Sequence, residues 1–349
     1  MQTKLVYVLT CEEEDTYIEQ ALISIYSARY HNPSAYIVLL VDDLTDKLLI
    51  GKRAEVLEYI SEKLVFDLPI AMKMLERSRW LKTQVRLLIK GDFLFIDTDT
   101  IITHTLDNID NFPNPIGAVL DSHMTLDKYS LDVYDRLKSR LNIVNVDISK
   151  EKYYFSSGVM YVKDSIITHK LYEKWFNYWF EGLSFPFIGD QPYLCKANIE
   201  LNHIITELSE KWNCVMYTYP EFDLDAYILH FSPYNNRCFL FDNNCLNQIR
   251  KLGLEDFKPM IICPQKTYIT SKFRSIIALY KDIYDALKFM SIYTPMSIET
   301  YLINNPKVKV IKNLFLKLNL HLASLYICSI NLKDNIIKFL IKIKKILGW

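Results

Sequence analysis

Short apolar runs alternate with amphipathic stretches through the first 160 residues, and this alternation restricts the fold more than any other feature. The runs 5–9, 36–41, 64–68, 93–96, 116–120 and 158–162 are rich in Val, Ile, Leu and aromatic side chains. Runs this short and this uniformly apolar read as strands buried on both faces. Between them, residues 17–30, 46–62 and 77–89 carry helical spacing, with Asn32-Pro33 and Gly91 as breakers. The alternation predicts an α/β domain with a mainly parallel sheet and helices on both of its faces. Ligands of such sheets bind beyond the carboxyl ends of the strands. Thr10, Asp42, Asp43, Asp97, Asp99 and Asp121 stand at those exits.

The charge balance divides the chain. Lys and Arg total 41, as do Asp and Glu, which argues against a nucleic-acid binder, since such a protein carries a basic footprint. The balance hides an asymmetry: residues 306–349 hold nine Lys and one Asp, a net of +8, and the preceding 305 residues carry −8. Strand–helix alternation fades near residue 260, so the chain reads as a domain over 1–260 and a helical, basic region over 261–349. None of the 8 glycines forms a G-x-G or G-x(4)-G-K spacing, which removes the dinucleotide fingerprint and the P-loop. The 7 cysteines are odd in number and form no C-x-x-C, so reduced, buried thiols of a cytosolic protein are expected. The acidic run from Cys11 to Asp15 argues against a signal peptide. No stretch reaches the ~18 apolar residues of a membrane span.

Asp97-Thr98-Asp99 carries the chemistry. Two carboxylates one residue apart, where a strand opens into a turn, can face one hard divalent cation such as Mn²⁺ or Mg²⁺, which can in turn hold a diphosphate. The same spacing also suits turn or helix-cap residues, and Asp223-Leu-Asp225 repeats it without a preceding strand. Arg77, Arg79 and Lys82 lie on the helix before the motif, with positions 79 and 82 on one face. Ser156-Ser157-Gly158 leads into an apolar strand and offers short donors to a polyol. His230 follows an apolar run, and a neutral imidazole can complete a carboxylate site.

Taken in order, these motifs resemble glycosyltransferase family 8, a nucleotide-sugar-dependent group with the GT-A fold. The likeness runs from Asp97-Thr-Asp99 through Ile116–Asp121, Tyr154–Met160 and Gly189-Asp-Gln191 to Leu229-His-Phe231, and spans roughly residues 4–240. The resemblance implies a metal-dependent, retaining hexosyl transfer from a UDP-sugar to a glycan acceptor. It implies that Asp97, Asp99 and His230 ligate Mn²⁺ or Mg²⁺, with Thr98 beside the nucleotide. It places Thr10 and Cys11 against the uracil and ribose, and Arg79 or Lys82 against the donor. Asp121, Ser156 and Ser157 match residues that bind the donor sugar. Asp190 and Gln191 match the pair beside the anomeric carbon. The family usually has Asn at the position of Ser156, and a Gly and a Lys after the metal-binding His; here Arg237 stands in for that Lys.

The last residues form the second feature. On a helical wheel, Ile336, Phe339, Leu340, Ile343 and Leu347 lie on one face and Lys338, Lys342 and Lys345 on the other, with Trp349 beyond. An interfacial helix on anionic lipid has this pattern, and so has a terminal helix docked on an acidic body. The expectation is an enzyme of surface-polysaccharide or lipid-linked oligosaccharide synthesis, held peripherally at the cytoplasmic face of the membrane. Two other readings stay open. Asp97-Thr-Asp99-Thr also fits a haloacid-dehalogenase-like phosphatase with Asp97 as nucleophile, although that motif usually opens its chain. A non-catalytic glycan-binding relative is the other.

Overall fold

The structure is a computed structural model that describes residues 1–68, 72–184, 189–215, 225–231 and 238–264. Packing divides the chain into two units, Met1–Arg274 and Ser275–Trp349. Arg237 and the basic tail lie outside the described residues.

The first unit is mixed α/β, as the alternation predicts. Its main sheet contains β1 (Lys4–Leu9), β2 (Ile37–Asp42), β3 (Glu62–Phe66), β4 (Phe93–Ile96), β6 (Ile116–Leu120), β7 (Phe155–Val162) and β8 (Ile205–Glu207), in the order β3-β2-β1-β4-β7-β6-β8. Only β7 runs against its neighbours; the other pairings are parallel. The remaining strands, β5 (Thr100–Ile102), β9 (Cys214–Val215) and β10 (Ile228–His230), form a separate small sheet.

Helices α1 (Tyr17–His31), α3 (Met74–Leu88) and α5 (Ile166–Glu181) cover the main sheet, and α2 (Asp43–Asp46), α4 (Leu131–Ile143), α6 (Gln191–Glu200), α7 (Asn243–Leu252) and α8 (Lys258–Ile262) are the other α-helices among the described residues. Two apolar cores result. Leu5, Tyr7, Leu9 and Leu39 point to α1, whereas Val6, Val8, Val38 and Leu40 point to the side of α3 and α5. This is the period-two alternation of a strand buried on both faces.

Two local expectations need correction. Residues 46–62 are not one helix: a 3₁₀ segment, Gly51–Glu58, follows the short α2, and within it only Val56 is buried. Gly51, whose left-handed φ of 56° no regular helix admits, separates the two pieces. The sixth strand begins at Phe155 rather than Gly158, so Ser156 and Ser157 are part of β7.

Candidate active site

The site forms where β4 stops. Asp97 N donates to Gly158 O across the sheet at 2.8 Å, and Thr100 Oγ1 donates back to Asp97 O at 2.9 Å, closing the 97–100 turn. The chain then re-enters as β5, which pairs antiparallel with β10 so that His230 lies opposite Thr100. Phe231 N donates to Asp99 O at 2.8 Å. The D-x-D and a histidine 131 residues further on thus meet through one strand pairing. One ligand atom from each of Asp97, Asp99 and His230 lies within 4.8 Å of the others, and His230 Nε2 is 3.1 Å from Asp99 Oδ1. Gly158 lets β7 pass directly behind them: a Cβ there would sit 2.6 Å from His230 Cε1 and 3.1 Å from Asp97 Oδ2.

Helix α3 supplies the cations. Lys82 is only 4% exposed; its Nζ lies 3.1 Å from Asp97 Oδ1 and 3.8 Å from Asp190 Oδ2, and 5.0 Å from the centre of the Phe95 ring. Arg79 Nε pairs with Asp190 Oδ1 at 2.9 Å. Both residues left open by the sequence therefore reach the site. Arg77, one turn earlier, is buried against Asp42 and holds Cys11 O at 3.3 Å.

Burial and charge set the protonation of the cluster. Burial raises the Asp97 carboxyl and Asp99 pushes it further, against the opposing pull of Lys82. Burial would raise Asp99 too, but His230, by charge and hydrogen bond, holds it below the ordinary carboxylate range. Burial opposes protonation of His230, yet Asp99 outweighs it and raises the imidazole. At Asp190 the burial penalty is exceeded by Lys82, Arg79 and the Ser157 hydroxyl, so its carboxyl is lowered. Three carboxylates thus share one partly buried site with Lys82, Arg79 and His230.

A polar rim continues along the strand ends. Gln191 Nε2 donates to Asp121 Oδ1 at 3.0 Å, Tyr129 OH donates to Asp121 Oδ2 at 3.1 Å, and Ser157 N donates to Gln191 Oε1 at 3.4 Å. Ser157 Oγ donates to Asp190 Oδ2 at 2.9 Å. Trp175 Nε1 holds Asp190 O at 2.9 Å, which fixes the start of α6. Ser156 and Ser157 face different partners, because adjacent strand residues point to opposite sides: Ser156 Oγ accepts from Asn213 Nδ2 at 3.1 Å.

Thr10 and Cys11 sit at the exit of β1 with buried side chains. Thr10 Oγ1 donates to Met74 O at 3.2 Å, and Cys11 N donates to Thr45 Oγ1 at 2.9 Å. Burial pushes the Cys11 thiol up to about 12, so it stays protonated. Thr98 is half-buried at the turn. Asp225, of the second D-x-D, is exposed and pairs with Lys211 at 3.6 Å. Asn213, Tyr129 and the pair Arg53 and Arg250 were not legible in the sequence. Both arginines grip the buried Glu19, at 2.7 and 3.1 Å, and donate to Asp15 O, so they hold the acidic loop after β1. Asn213, Arg53 and Arg250 act through partners distant in sequence, Tyr129 through Asp121 eight residues before it, and no local pattern marks any of them.

No protein-family model matches the chain, and no curated protein matches its sequence. Solved structures do match its fold. An active-site mutant of LgtC aligns with a TM-score of 0.50 and 12% identity, over 71% of this chain and 95% of that one. The galactosyltransferase LgtC with donor and acceptor sugar analogues gives 0.48 and 14%, over 78% and 99%. The glycosyltransferase GlyE of Streptococcus pneumoniae TIGR4 gives 0.45 and 16%, over 77% and 66%. At such identities the likeness is one of fold, and the first alignment carries it. The chain has a GT-A-type fold, with a mainly parallel seven-stranded sheet, that it shares with glycosyltransferases.

Proposed function

We propose that this protein is a metal-dependent glycosyltransferase of the family 8 type, which moves a hexose from a UDP-sugar to a glycan acceptor. The observation that carries the proposal is the convergence of Asp97, Asp99 and His230 on one point at the carboxyl edge of a GT-A sheet. Two carboxylates and an imidazole suit Mn²⁺ or Mg²⁺, and the absent Cβ of Gly158 leaves the three side chains room to meet. A bound ion would act there as a Lewis acid on the leaving diphosphate.

The other roles belong to the chain itself. Lys82 and Arg79 keep positive charge beside the carboxylates, where a nucleoside diphosphate would add negative charge. Asp121, Ser157 and Gln191 present oxygens and donors of the kind a polyol binds. Asp190 and the Gln191 amide stand where they can stabilise an oxocarbenium-like carbon, with the acceptor hydroxyl within about 3–3.5 Å for attack. That arrangement suits retention of configuration. Arg237 would add a fork-shaped donor to the diphosphate. The basic tail fits an anionic membrane surface at the cytoplasmic face, which suits a lipid-linked acceptor.

The phosphatase reading is the weaker one. Its general acid would be Asp99, whose carboxyl His230 pulls below the ordinary range, whereas a general acid works best with its pKa raised towards the operating pH.

Thermal melting of the full chain with UDP, with and without Mn²⁺, tests the proposal. A ligand at 100 times its dissociation constant stabilises by about 2.7 kcal/mol. The expected result is a shift that needs both UDP and Mn²⁺ and is lost in Asp99→Ala, followed by turnover of one UDP-sugar in a panel. No shift with any nucleoside diphosphate overturns it. Binding with no turnover of any donor would point to the silent, glycan-binding relative.

A further inference from the structure

Asn213 is fully buried, and nothing in the roles assigned above uses it. It ends the 3₁₀ segment Glu210–Asn213, just before β9. Trp212 anchors that segment, with its ring 4.7 Å from the ring of Tyr227, and Tyr227 N donates to Lys211 O at 2.8 Å. Strand β9 pairs with β10 so that Val215 lies opposite His230. The side chain of Asn213 is thereby brought to the back of the His230 ring, on the side away from Asp99.

Each polar atom of that side chain has a partner. Asn213 Oδ1 lies 2.8 Å from His230 Nδ1, and Nδ2 donates to Ser156 Oγ at 3.1 Å. The main-chain oxygen of Asn213 takes part as well: His123 Nε2 lies 2.8 Å from it. His123 and Ser122 both have left-handed backbone, with φ of 53° and 55°, directly after Asp121. Two consecutive non-glycine residues in that region are uncommon and persist where the surroundings hold them. The contact of His123 with Asn213 is one such restraint.

We infer that Asn213 is a positioning residue of the metal centre, which locks the His230 ring with Nε2 turned to Asp97 and Asp99 and ties that ring to the sugar-facing strand and turn. An amide oxygen beside Nδ1 accepts its N–H, and the neutral imidazole then carries its lone pair on Nε2, the nitrogen that faces the two carboxylates. Ligating histidines commonly depend on such a partner, and its loss costs about 10–100-fold in metal affinity. The amide does more than a carboxylate could, because Nδ2 simultaneously fixes Ser156, whose neighbour Ser157 holds Asp190. The inference rests on the metal-centre reading given above.

The test is Mn²⁺ affinity of the full chain, read from the electron paramagnetic resonance signal of free Mn²⁺. Asn213→Leu keeps the branching and the number of side-chain heavy atoms and removes both hydrogen bonds; its affinity is expected to fall about 10–100-fold. Asn213→Asp keeps an acceptor for Nδ1–H, and its affinity is expected to stay close to the parent's. A merely structural residue would lower the melting temperature of both variants and leave Mn²⁺ affinity alone, and that outcome overturns the inference. Should Asn213→Leu not fold, histidine ¹⁵N spectra of the Mg²⁺-loaded parent decide: a His230 ring protonated at Nδ1 supports the role, and one protonated at Nε2 overturns it. A parent that binds no Mn²⁺ overturns the metal-centre reading itself. Normal parent binding with an unaffected Asn213→Leu removes only the role of Asn213.

Discussion

Gly158→Ala adds one methyl group at the most crowded point of the site, and its effect can be worked from distances. The added Cβ would lie 2.6 Å from His230 Cε1, 3.0 Å from His230 Nδ1 and 3.1 Å from Asp97 Oδ2. Carbon atoms in contact prefer about 3.5–4.0 Å, so the ring must retreat by roughly 1 Å. It has little freedom to do so, since its nitrogens face Asn213 Oδ1 at 2.8 Å and Asp99 Oδ1 at 3.1 Å. The backbone of Gly158 is not left-handed, so alanine meets no conformational penalty and the clash is the whole effect. Overpacking of this kind costs about 1–3 kcal/mol. At about 2–4 °C per kcal/mol for domains of 150–250 residues, the melting temperature should fall by several degrees. The functional loss should be larger, because a misplacement of 1 Å can cost about 10²-fold in rate. Differential scanning calorimetry, Mn²⁺ titration and donor turnover on the same sample check all three. A variant that melts, binds Mn²⁺ and turns over like the parent would refute the packing of β7 against His230, and with it the site as described.

Four further outcomes follow from the same geometry. Lys82→Met removes the buried cation beside Asp97 and Asp190; breaking a buried pair costs about 3–5 kcal/mol, and Mn²⁺ should restore more stability to this variant than to the parent in parallel melts. Asp190→Asn should abolish transfer while Mn²⁺ affinity is retained. It should also flatten the acid limb of the stability profile. The Asp190 carboxyl is lowered on folding, so its contribution is present above the unfolded carboxylate range and is lost as the pH falls through the folded value; a parent and variant with superimposable urea midpoints from pH 7 to pH 3 would contradict this. Arg250→Gln frees one of the two grips on Glu19 and Asp15, and should raise the KM for the nucleotide donor with little change in kcat, measured under steady state. Deletion of residues 331–349 should abolish sedimentation with phosphatidylserine vesicles and leave hydrolysis of the donor unchanged.

How much of this was legible in sequence depended on whether the cause was local. Runs such as 93–96 and 116–120 read correctly because every side chain in them is buried, and a continuous apolar run is a local signal of that state. The position of the D-x-D at a strand exit is legible because it stands at the end of such a run. Ser156 and Ser157 did not read as strand, since polar residues inside a buried strand need partners, and theirs come from Asn213 and Asp190 far along the chain. The stretch 46–62 reads as one helix because its composition is helical; the left-handed turn at Gly51 splits it, and a 3₁₀ segment follows.

The same distinction explains why the candidate metal ligands stand out in the sequence and the residues behind them do not. Asp97, Asp99 and His230 must each lie at the end of a strand to reach a common point, so strand exits reveal them. A support needs only to touch a ligand, and any element can deliver it. Asn213 arrives from a 3₁₀ segment, Tyr129 from the loop before α4, and Arg250 from α7. Their substitution therefore separates two contributions that the ligands combine. Changing Asp99 removes charge and candidate ligand together, whereas changing Asn213 leaves every candidate ligand in place and alters the partner of the His230 ring and of Ser156. A loss of Mn²⁺ affinity in Asn213→Leu, with its restoration in Asn213→Asp, would assign the loss to the acceptor beside Nδ1 and not to any of the three candidate ligands.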